Sequence, residues 1–596
     1  MNSYHYGRRE HESRGDDRES GTLGLVVLIP VLCGIVYYLL TARYHLRPRQ
    51  IVEALIYLGC LLLSAWLIAQ YAVTYRKKRM AVWPQPRIHV PLLKDREETR
   101  KAHAQNAVVG GYATDLKTWA WSDEIRRLQA LLLGGTGAGK TTFLRSILAQ
   151  DMRRSVRGRR IPIIVIDCKA DADFRKALEE QARLAGRSHQ FRVLDPTRPE
   201  ISMRWNPLSM TVHSYDEHIN FIFESFGLRK DFFEGHQYSY FGDLVRVLYY
   251  AGKPFNVYDV LVAAQDQQVL EQQIGIARNR IRRLYAPDDQ RRLNLDMSVH
   301  NLRQSFESKE RVEKIQGLLN ELMTFIQDKL SIVTGPYEDL LTLEEVIERE
   351  LILYVSLNVS LNTKAVTALG RMLLHNLQML AGKRYQGEKE DLPFVSVVLD
   401  EFSPLAYPDF AHIIQTARGS NIAILFCLQS VSQLEKVSTD FCRNVCSAPN
   451  TVILMRCRHD DETAKYFQTS SSLVKATRTT RTVEERGWIE KALREIPFGS
   501  NTEVLEYRAK DEQIRNFPTG QFQVLATNHE TGTEFLHLHL RPMPEWKLDC
   551  FHPVSFPCTY IPAGFTDGAN LRFTDPELIE RNARAARLKG RGNQAR

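Results

Sequence analysis

A glycine-rich segment, Gly134 to Thr142 (GGTGAGKTT), contains the residue types that bind a phosphate chain. It fits the pattern G-x-x-x-x-G-K-[ST], in which glycines let the loop wrap closely so that backbone N–H groups cradle the phosphates. Lys140 can reach the β- and γ-phosphates, and Thr141 offers a hydroxyl to Mg²⁺. An apolar strand at 131–133 precedes the loop, and the helix FLRSILAQ follows it with its positive end toward the anion. The segment therefore predicts a site for ATP with Mg²⁺. Its predicted phosphate-binding residues are Gly134, Gly135, Thr136, Gly137, Ala138, Gly139, Lys140, Thr141 and Thr142.

Two adjacent acids, Asp400 and Glu401, follow the apolar run at 394–399. A phosphate loop needs an acid that holds the water shell of Mg²⁺, usually at the end of an apolar strand. We predict that Asp400 serves Mg²⁺ and that Glu401 orients and polarises the attacking water. Asp167, at the end of the run 161–166, is the alternative for the metal role, although it has no adjacent second acid.

Gln429 and Arg418 complete the predicted catalytic set, together with Lys140 and Glu401. Gln429 follows the apolar run 422–428, where its side chain either senses the γ-phosphate or is simply a polar strand end. Arg418 ends the helical segment HIIQTARGS. It either caps that helix or acts on a neighbouring subunit's nucleotide as an arginine finger, which accelerates hydrolysis on the order of 10³–10⁵-fold in known cases.

Apolar runs alternate with helical segments along the chain. The runs that predict strands are 131–133, 161–166, 191–194, 351–357, 394–399, 422–428 and 451–455, and helices between them include 364–380 and 410–418. Continuous apolar runs separated by helices are typical of a parallel sheet covered on both faces. The predicted fold class is therefore α/β.

Helical periodicity dominates between residues 209 and 341, with few strand signals. Apolar residues share one helical face at 215–226 and another at 312–326. This pattern predicts an all-alpha insertion between two halves of one α/β core. Within it, the basic stretch from Arg278 to Arg292 is either a solvated helix face or a contact for nucleic acid or a partner.

The composition is globular, since 25% of the 596 residues are charged and 44% are hydrophobic. The net charge of +9 suits nucleic acid or an anionic membrane surface. The nine cysteines lack the C-x₂-C pairing of a zinc site, so reduced thiols are expected. The polar and basic segment SSSLVKATRTTRTVEER, at 470–486, is predicted to be a mobile loop.

Two long apolar segments precede the phosphate loop. Residues 23–40 contain no charge and residues 51–73 contain only Glu53, so each is long enough and apolar enough to span a bilayer. Lysine and arginine are more frequent before the first segment and after the second than in the short connection. This distribution predicts a transmembrane helical hairpin with both chain ends in the cytoplasm.

These observations divide the chain into six predicted segments. They are a cytoplasmic tail at 1–20, a transmembrane hairpin at 21–74, the first part of the nucleotide-binding domain at 75–208, the all-alpha insertion at 209–345, the second part of the nucleotide-binding domain at 346–546, and a basic C-terminal tail at 547–596.

The order of these parts resembles the type IV coupling proteins, the TraD/TraG group of membrane-anchored ATPases in conjugation and type IV secretion. The resemblance covers roughly residues 23–542. It rests on the hairpin and on the motifs GGTGAGKTT, DCKAD at 167–171, WNPL at 205–208, VVLDEF at 397–402, TARGSNIAILFCLQS at 416–430 and FPTGQF at 517–522. The combination is specific, whereas no single motif other than the phosphate loop would be.

The resemblance implies a RecA-like P-loop NTPase core that assembles as a homo-hexamer at the bacterial inner membrane. It further implies that ATP hydrolysis drives DNA with its relaxase toward the channel proteins of a type IV secretion system. In the family pattern, Arg418 is the finger across the subunit boundary and Gln429 the γ-phosphate sensor. The insertion resembles the family's all-alpha domain, where cargo is thought to be received.

Two other functions remain open at this point. An FtsK-like DNA translocase shares the motor, although it predicts more spans and a C-terminal DNA-binding domain. A receptor for protein substrates that uses nucleotide only as an assembly switch would bind cargo and hydrolyse little. DNA binding is expected to be largely non-specific and salt-sensitive, because backbone charge dominates and no base-reading motif is evident.

Overall fold

The computed structural model describes residues 59, 62–66, 68–69, 88–209, 215–228, 234–326, 328–337, 340–360, 363–386, 392–481, 499–528 and 532–542. The chain divides into two compact units, Met1–Pro86 and Arg87–Arg596. The predicted first span, most of the second span and the two predicted tails lie outside the described residues. Within the described residues, no helix combines the length and the apolar character needed to cross a bilayer.

The second unit contains the strands. They are β1 (Ala107–Tyr112), β2 (Thr118–Ser122), β3 (Ala130–Leu133), β4 (Ser155–Val156), β5 (Arg159–Arg160), β6 (Ile163–Asp167), β7 (Phe191–Leu194), β8 (Ile352–Ser356), β9 (Val395–Asp400), β10 (Ile422–Leu428), β11 (Thr451–Leu454), β12 (Leu473–Arg481), β13 (Gly499–Tyr507), β14 (Gln521–Asn528) and β15 (Gly532–His539). Over the described residues, eleven of them form one sheet in the order β2-β1-β15-β14-β11-β3-β10-β9-β6-β8-β7.

Helices connect these strands. They are α1 (Leu92–Ala104), α2 (Asp123–Arg126), α3 (Lys140–Arg153), α4 (Ala172–Leu184), α5 (Tyr215–Ser225), α6 (Glu234–Ala251), α7 (Val257–Gln265), α8 (Gln267–Leu284), α9 (Gln290–Glu307), α10 (Arg311–Phe325), α11 (Asp328–Thr334), α12 (Leu343–Glu348), α13 (Thr363–Gln386), α14 (Phe410–Gly419), α15 (Ser432–Glu435), α16 (Thr439–Ser447), α17 (Asp461–Ser470) and α18 (Asp511–Arg515). Short 3₁₀ turns occur at Ser188–Gln190 and Ser403–Leu405.

The strands from β11 to β7 in the sheet order run parallel to their neighbours. Nearly all of their residues are buried, because helices cover both faces of this part of the sheet. Each of these strands falls on an apolar run that predicted it, so the α/β class is confirmed.

The prediction of a parallel sheet holds for these seven strands, whereas the other edge of the sheet is antiparallel. β14 pairs antiparallel with β11, and β15, β1 and β2 follow in the same manner. The strand β1 was missed because two glycines interrupt its apolar pattern. They are required by close packing, since a Cβ on Gly110 would lie 2.2 Å from the Trp119 ring and one on Gly111 would lie 2.8 Å from the carbonyl oxygen of His539.

The helices α5 to α12 separate β7 from β8 in the chain, where the all-alpha insertion was predicted. Ile219, Ile222 and Phe223 of the first predicted face are buried, in one hydrophobic cluster with the sheet residues Ile164 and Leu194. In the second face residues 315, 318, 319 and 322 are buried, whereas Val312, in the first turn of α10, is 53% exposed, so the buried part of that face begins at Ile315. The insertion packs against α13, as in the stacking of Phe221 on His375 at 4.8 Å between ring centroids, and shares one hydrophobic cluster with the sheet.

The segment 470–486, predicted to be a mobile loop, contains the strand β12. β12 pairs antiparallel with β13, from Leu473 opposite Tyr507 to Arg481 opposite Gly499. Polar composition suggested a loop, but β-branched residues such as Val474 and Thr477 favour an extended chain. The partner strand begins after residue 498, so the pairing was not evident from the segment itself.

Candidate nucleotide site

The carboxyl ends of four neighbouring strands bring most of the predicted site residues to one edge of the sheet. In the order β3, β10, β9 and β6, these ends carry the phosphate loop, Gln429, Asp400 with Glu401, and Asp167 with Lys169. The register places Asp400 beside Asp167. Open α/β sheets bind ligands in the crevice beyond the carboxyl ends of their strands.

The phosphate loop is anchored to the end of β11 by its first two glycines. The N–H of Gly135 donates to the carbonyl of Arg456 at 2.9 Å. A Cβ on Gly134 would lie only 2.8 Å from the Cβ of Met455, so no side chain fits at this position without displacement. The glycine that begins the motif is therefore explained by close packing as well as by loop flexibility.

Two later glycines of the loop adopt left-handed backbone, with φ of 72° at Gly137 and 109° at Gly139. A second loop, containing FPTGQF, packs against them. The hydroxyl of Thr519 donates to the carbonyl of Gly137 at 3.4 Å, and a Cβ on Gly139 would lie 3.7 Å from the N atom of Gly520. Sequence reasoning noted FPTGQF without giving it a role, and here it forms part of the wall of the phosphate loop.

Lys140 begins α3 and is buried. Its ammonium donates to the carbonyls of Gly134 and Gly135, the second at 3.4 Å. Burial, with a smaller contribution from the Lys169 ammonium, lowers the pKa of Lys140. Thr141, also in the first turn of α3, is half-buried. Both residues lie where the N-terminal N–H groups of α3 favour an anion.

Asp400, the last residue of β9, is 2% exposed. Among the described residues, its Oδ1 atom has no hydrogen-bond partner. Burial and the neighbouring Asp167 carboxylate raise the pKa of Asp400 to about 6. A buried carboxylate is costly unless it is paired or bound to a metal. The residues therefore fit Mg²⁺, with Asp400 and the Thr141 hydroxyl as its protein partners.

The Glu401 carboxylate is held by three side chains. Its Oε2 atom accepts from the ammonium of Lys169 at 2.9 Å and from the amide of Gln429 at 3.0 Å. Its Oε1 atom accepts from the amide of Gln433 at 3.3 Å. Although burial opposes the change, these donors lower the pKa of Glu401. Gln429 thus contacts the predicted water-activating acid, which gives this strand-end glutamine a place in the site.

The Asp167 carboxylate is occupied by the protein itself. It accepts from the N–H groups of Lys169 and Asp171, both at 2.8 Å, and from the Tyr354 hydroxyl at 2.5 Å. These contacts leave it less suited than Asp400 to bind a cation.

Sequence reasoning missed Lys169 and Gln433 as site residues. The signal for Lys169 was the motif DCKAD, which ends an apolar strand as VVLDEF does. Which two strand ends are neighbours depends on the register between β6 and β9, which no local pattern encodes.

Arg418 lies away from the crevice of its own chain. It is an exposed residue in the last turn of α14, which leads through residues 420 and 421 into the amino end of β10. The phosphate loop lies beyond the carboxyl end of the parallel strand β3. Since β10 has 7 residues, the two edges are about 20 Å apart at about 3.3 Å per residue. Arg418 therefore does not reach the phosphate loop of its own subunit.

Comparisons with known proteins give one family and several similar structures. A family model described as "Type IV secretory system Conjugative DNA transfer" matches residues 94–492, two thirds of the chain. The unbound bacterial conjugative coupling protein TrwBdeltaN70 is 14% identical, with 77% of this chain and 93% of that chain covered and a TM-score of 0.49. The plasmid coupling protein TrwB in complex with ADP and Mg²⁺ is 14% identical, with 78% and 95% covered and a TM-score of 0.48. VirB4 of Thermoanaerobacter pseudethanolicus is 15% identical, with 74% and 97% covered and a TM-score of 0.42. No curated protein matches the chain.

Proposed function

The chain belongs to the type IV secretory system conjugative DNA transfer family, and on that premise we propose that it is a membrane-anchored, hexameric ATPase motor that couples a DNA–relaxase substrate to a type IV secretion channel. The observation that carries the motor proposal is the gathering of the phosphate loop, Asp400, Glu401 and Gln429 at one sheet edge. A protein that only binds nucleotide needs the loop, whereas the acids and the glutamine are the parts that hydrolysis requires.

The side chains of the crevice divide the work of hydrolysis. Lys140 exchanges its contacts with the loop carbonyls for oxygens of the β- and γ-phosphates. Thr141 and Asp400 would hold Mg²⁺, which when bound would neutralise charge on the phosphate oxygens. Glu401 accepts a proton from the water whose oxygen bonds to the γ-phosphorus, as the bond from that phosphorus to the bridging oxygen of ADP breaks. Gln429, next to Glu401, donates to the γ-phosphate.

Arg418 completes the site of a neighbouring subunit in this proposal. Its support is the position of Arg418 on an exposed helix end, remote from its own phosphate loop. Subunits carrying Arg418→Ala and subunits carrying Lys140→Ala are each expected to be inactive alone. Mixing them pairs an intact finger with an intact phosphate loop at some interfaces, so part of the ATPase activity should return. Absence of recovery at every mixing ratio would rule out action between subunits.

The membrane anchor is proposed from the apolar segments at 23–40 and 51–73, with the chain placed as a multi-pass protein of the inner membrane. The exposed apolar side chains of Leu62, Leu63, Trp66 and Ile68 support it, since such a surface needs an apolar environment. The chain should stay with the membrane fraction after salt and carbonate washes. Release by the carbonate wash would contradict a spanning anchor.

DNA is the proposed substrate, bound mainly through its backbone, with the relaxase and the channel proteins as partners. The family match favours a coupling protein over an FtsK-like translocase. The basic stretch of α8 and α9 leaves both earlier interpretations open. Arg278 pairs with Asp296 at 2.9 Å and Arg291 stacks over Tyr285, whereas Arg282 is exposed. Binding by the purified protein should weaken steeply as salt rises, and a salt-insensitive, sequence-selective footprint would contradict the proposal.

Glu401→Gln tests the motor. The variant keeps the shape of the side chain and removes its charge, so ATP binding should persist while hydrolysis falls by about 10²-fold or more. DNA transfer between cells should then fail. The exposed acid Glu435 offers a matched control, because Glu435→Gln removes an acid that does not contact Glu401 and should leave both readouts unchanged. Transfer at the wild-type frequency in Glu401→Gln would favour the nucleotide-switched receptor instead.

A further inference from the structure

The Glu401 carboxylate accepts hydrogen bonds from three side chains, which is many for an acid predicted to take a proton from water. A carboxylate offers about four acceptor positions, and both positions on Oε2 are taken by Lys169 and Gln429. Gln433 takes one on Oε1. A water that is to lose its proton to Glu401 must compete with these donors, and the strongest of them is the ammonium, because hydrogen bonds between charged groups are the stronger class.

The backbone of Glu401 is also constrained. Its φ is 54°, in the left-handed region that residues with a side chain rarely adopt. The next N–H, that of Phe402, donates to the carbonyl of Cys427 at 2.9 Å and so fixes this turn to β10. Backbone strain of this kind persists where surrounding contacts enforce it and is common at functional sites. The direction of the Glu401 side chain is therefore set by the fold, and the donors around it decide how its oxygens are used.

Lys169 has a fixed backbone, as Glu401 does, but a much more exposed side chain. Its backbone N–H is bonded to the carboxylate of Asp167 at 2.8 Å, and the following residue, Ala170, turns the chain with φ of 54°. The base of the Lys169 side chain is thus held firmly beside β9. Its side chain, however, is 42% exposed, whereas that of Glu401 is 9% exposed. The Lys169 ammonium can therefore move into solvent, whereas the Glu401 carboxylate stays in the crevice.

We propose that Lys169 is a positioning residue that holds Glu401 in a resting arrangement, and that turnover requires Lys169 to release it. This inference rests on the proposed ATPase function. Held and released arrangements exchange, and only the released carboxylate accepts the proton of the attacking water. The ion pair thus limits the fraction of sites ready for hydrolysis, and whatever draws the Lys169 ammonium away raises that fraction.

The test is the ATPase rate of the full-length protein with ATP and Mg²⁺ in the absence of DNA. Lys169→Met removes the ammonium and keeps an unbranched side chain. Because a partly exposed ion pair is weak, kcat should rise about fivefold rather than by orders of magnitude. KM for ATP should change less than kcat, since the Lys169 ammonium bonds to Glu401 while Lys140 bonds to the carbonyls of the phosphate loop. Lys169→Arg restores a cation and should return kcat toward the wild-type value.

Lys176→Met is the matched control, because Lys176 is an exposed lysine of α4 outside the Glu401 contacts, and its kcat should not change. Lys169→Gln, which is neutral and polar, gives the same comparison if the methionine variant is poorly folded. An unchanged or lower kcat in both neutral variants of Lys169, with an active wild type, overturns the resting arrangement alone. Absence of ATP hydrolysis in the wild type and in both neutral variants, with and without added DNA, overturns the proposed function and this inference together.

Discussion

The ends of β6 and β9 place two aspartates in equivalent positions with opposite surroundings. Asp167 and Asp400 are the last residues of adjacent parallel strands, face each other in register and are almost fully buried. Asp167 accepts hydrogen bonds on both oxygens, from two backbone N–H groups and a tyrosine hydroxyl. Asp400 has one oxygen without a partner among the described residues. Position at the end of a strand is thus not enough to assign a role to a carboxylate.

The turn that follows each strand causes the difference. After Asp167 the chain folds back through Ala170, so that the N–H groups of Lys169 and Asp171 point at the carboxylate. After Asp400 the left-handed turn is at Glu401, and the following N–H points toward β10 instead. The turn after Asp167 donates hydrogen bonds to its carboxylate, whereas the turn after Asp400 leaves one carboxylate oxygen available to a ligand. The comparison separates a carboxylate that stabilises a loop from one that is available to a metal.

Asp400→Asn gives the largest expected effect. The substitution removes the charge that would hold Mg²⁺ and should reduce Mg²⁺-dependent ATP hydrolysis by at least about 100-fold. Without nucleotide, the melting temperature should not fall, because a buried charge without a full set of partners is replaced by a neutral group. Steady-state ATPase rates and a thermal melt of the nucleotide-free protein measure the two effects. Near-normal hydrolysis, or a clear loss of stability, would contradict the assignment of Asp400.

The parallel half of the sheet was readable from the sequence because each of its strands is buried on both faces. A run such as IAILFCL has few alternatives to a covered strand, and its length matches β10 closely. The antiparallel edge was not readable in this way. β1 contains two glycines, and it pairs at Tyr112 with His539, more than four hundred residues later in the chain. Most of its pairing is with the nearby β2, but its place in the sheet depends on β15, which no local pattern identifies.

The candidate site also contains residues that local motifs predict and residues that only distant strand pairing brings together. Lys140, Thr141, Asp400 and Glu401 follow from motifs, because each motif is contiguous and ends or begins a recognisable element. The contact between Lys169 and Glu401 joins two strands whose chain positions differ by more than two hundred residues, with the helical insertion between them. In the sequence, Asp167 and Asp400 look alike because each is an aspartate at the end of an apolar run. The difference between them consists of backbone hydrogen bonds in the turns that follow, and those depend on φ values that side-chain identity does not reveal.

Asp167→Asn should produce the smaller effect, on stability rather than on chemistry. The amide has only one acceptor oxygen, and its NH₂ group would face donors, so unfolding free energy should fall by about 2–3 kcal/mol. Tyr354→Phe is the matched control, because it removes only the hydroxyl, which bonds to Asp167 and more weakly, at 3.3 Å, to the carbonyl of Asp171, and it should cost about 1 kcal/mol. Thermal melting of the nucleotide-free variants ranks the two losses. Hydrolysis should change by no more than about fivefold in Asp167→Asn, since the backbone contact of Lys169 is weakened and a charge beside Asp400 is removed, while the Asp400 carboxylate itself stays in place. If Asp167→Asn instead abolished hydrolysis and left the melting temperature unchanged, Asp167 would be the metal-binding acid, and the contrast with Asp400 would have to be reversed.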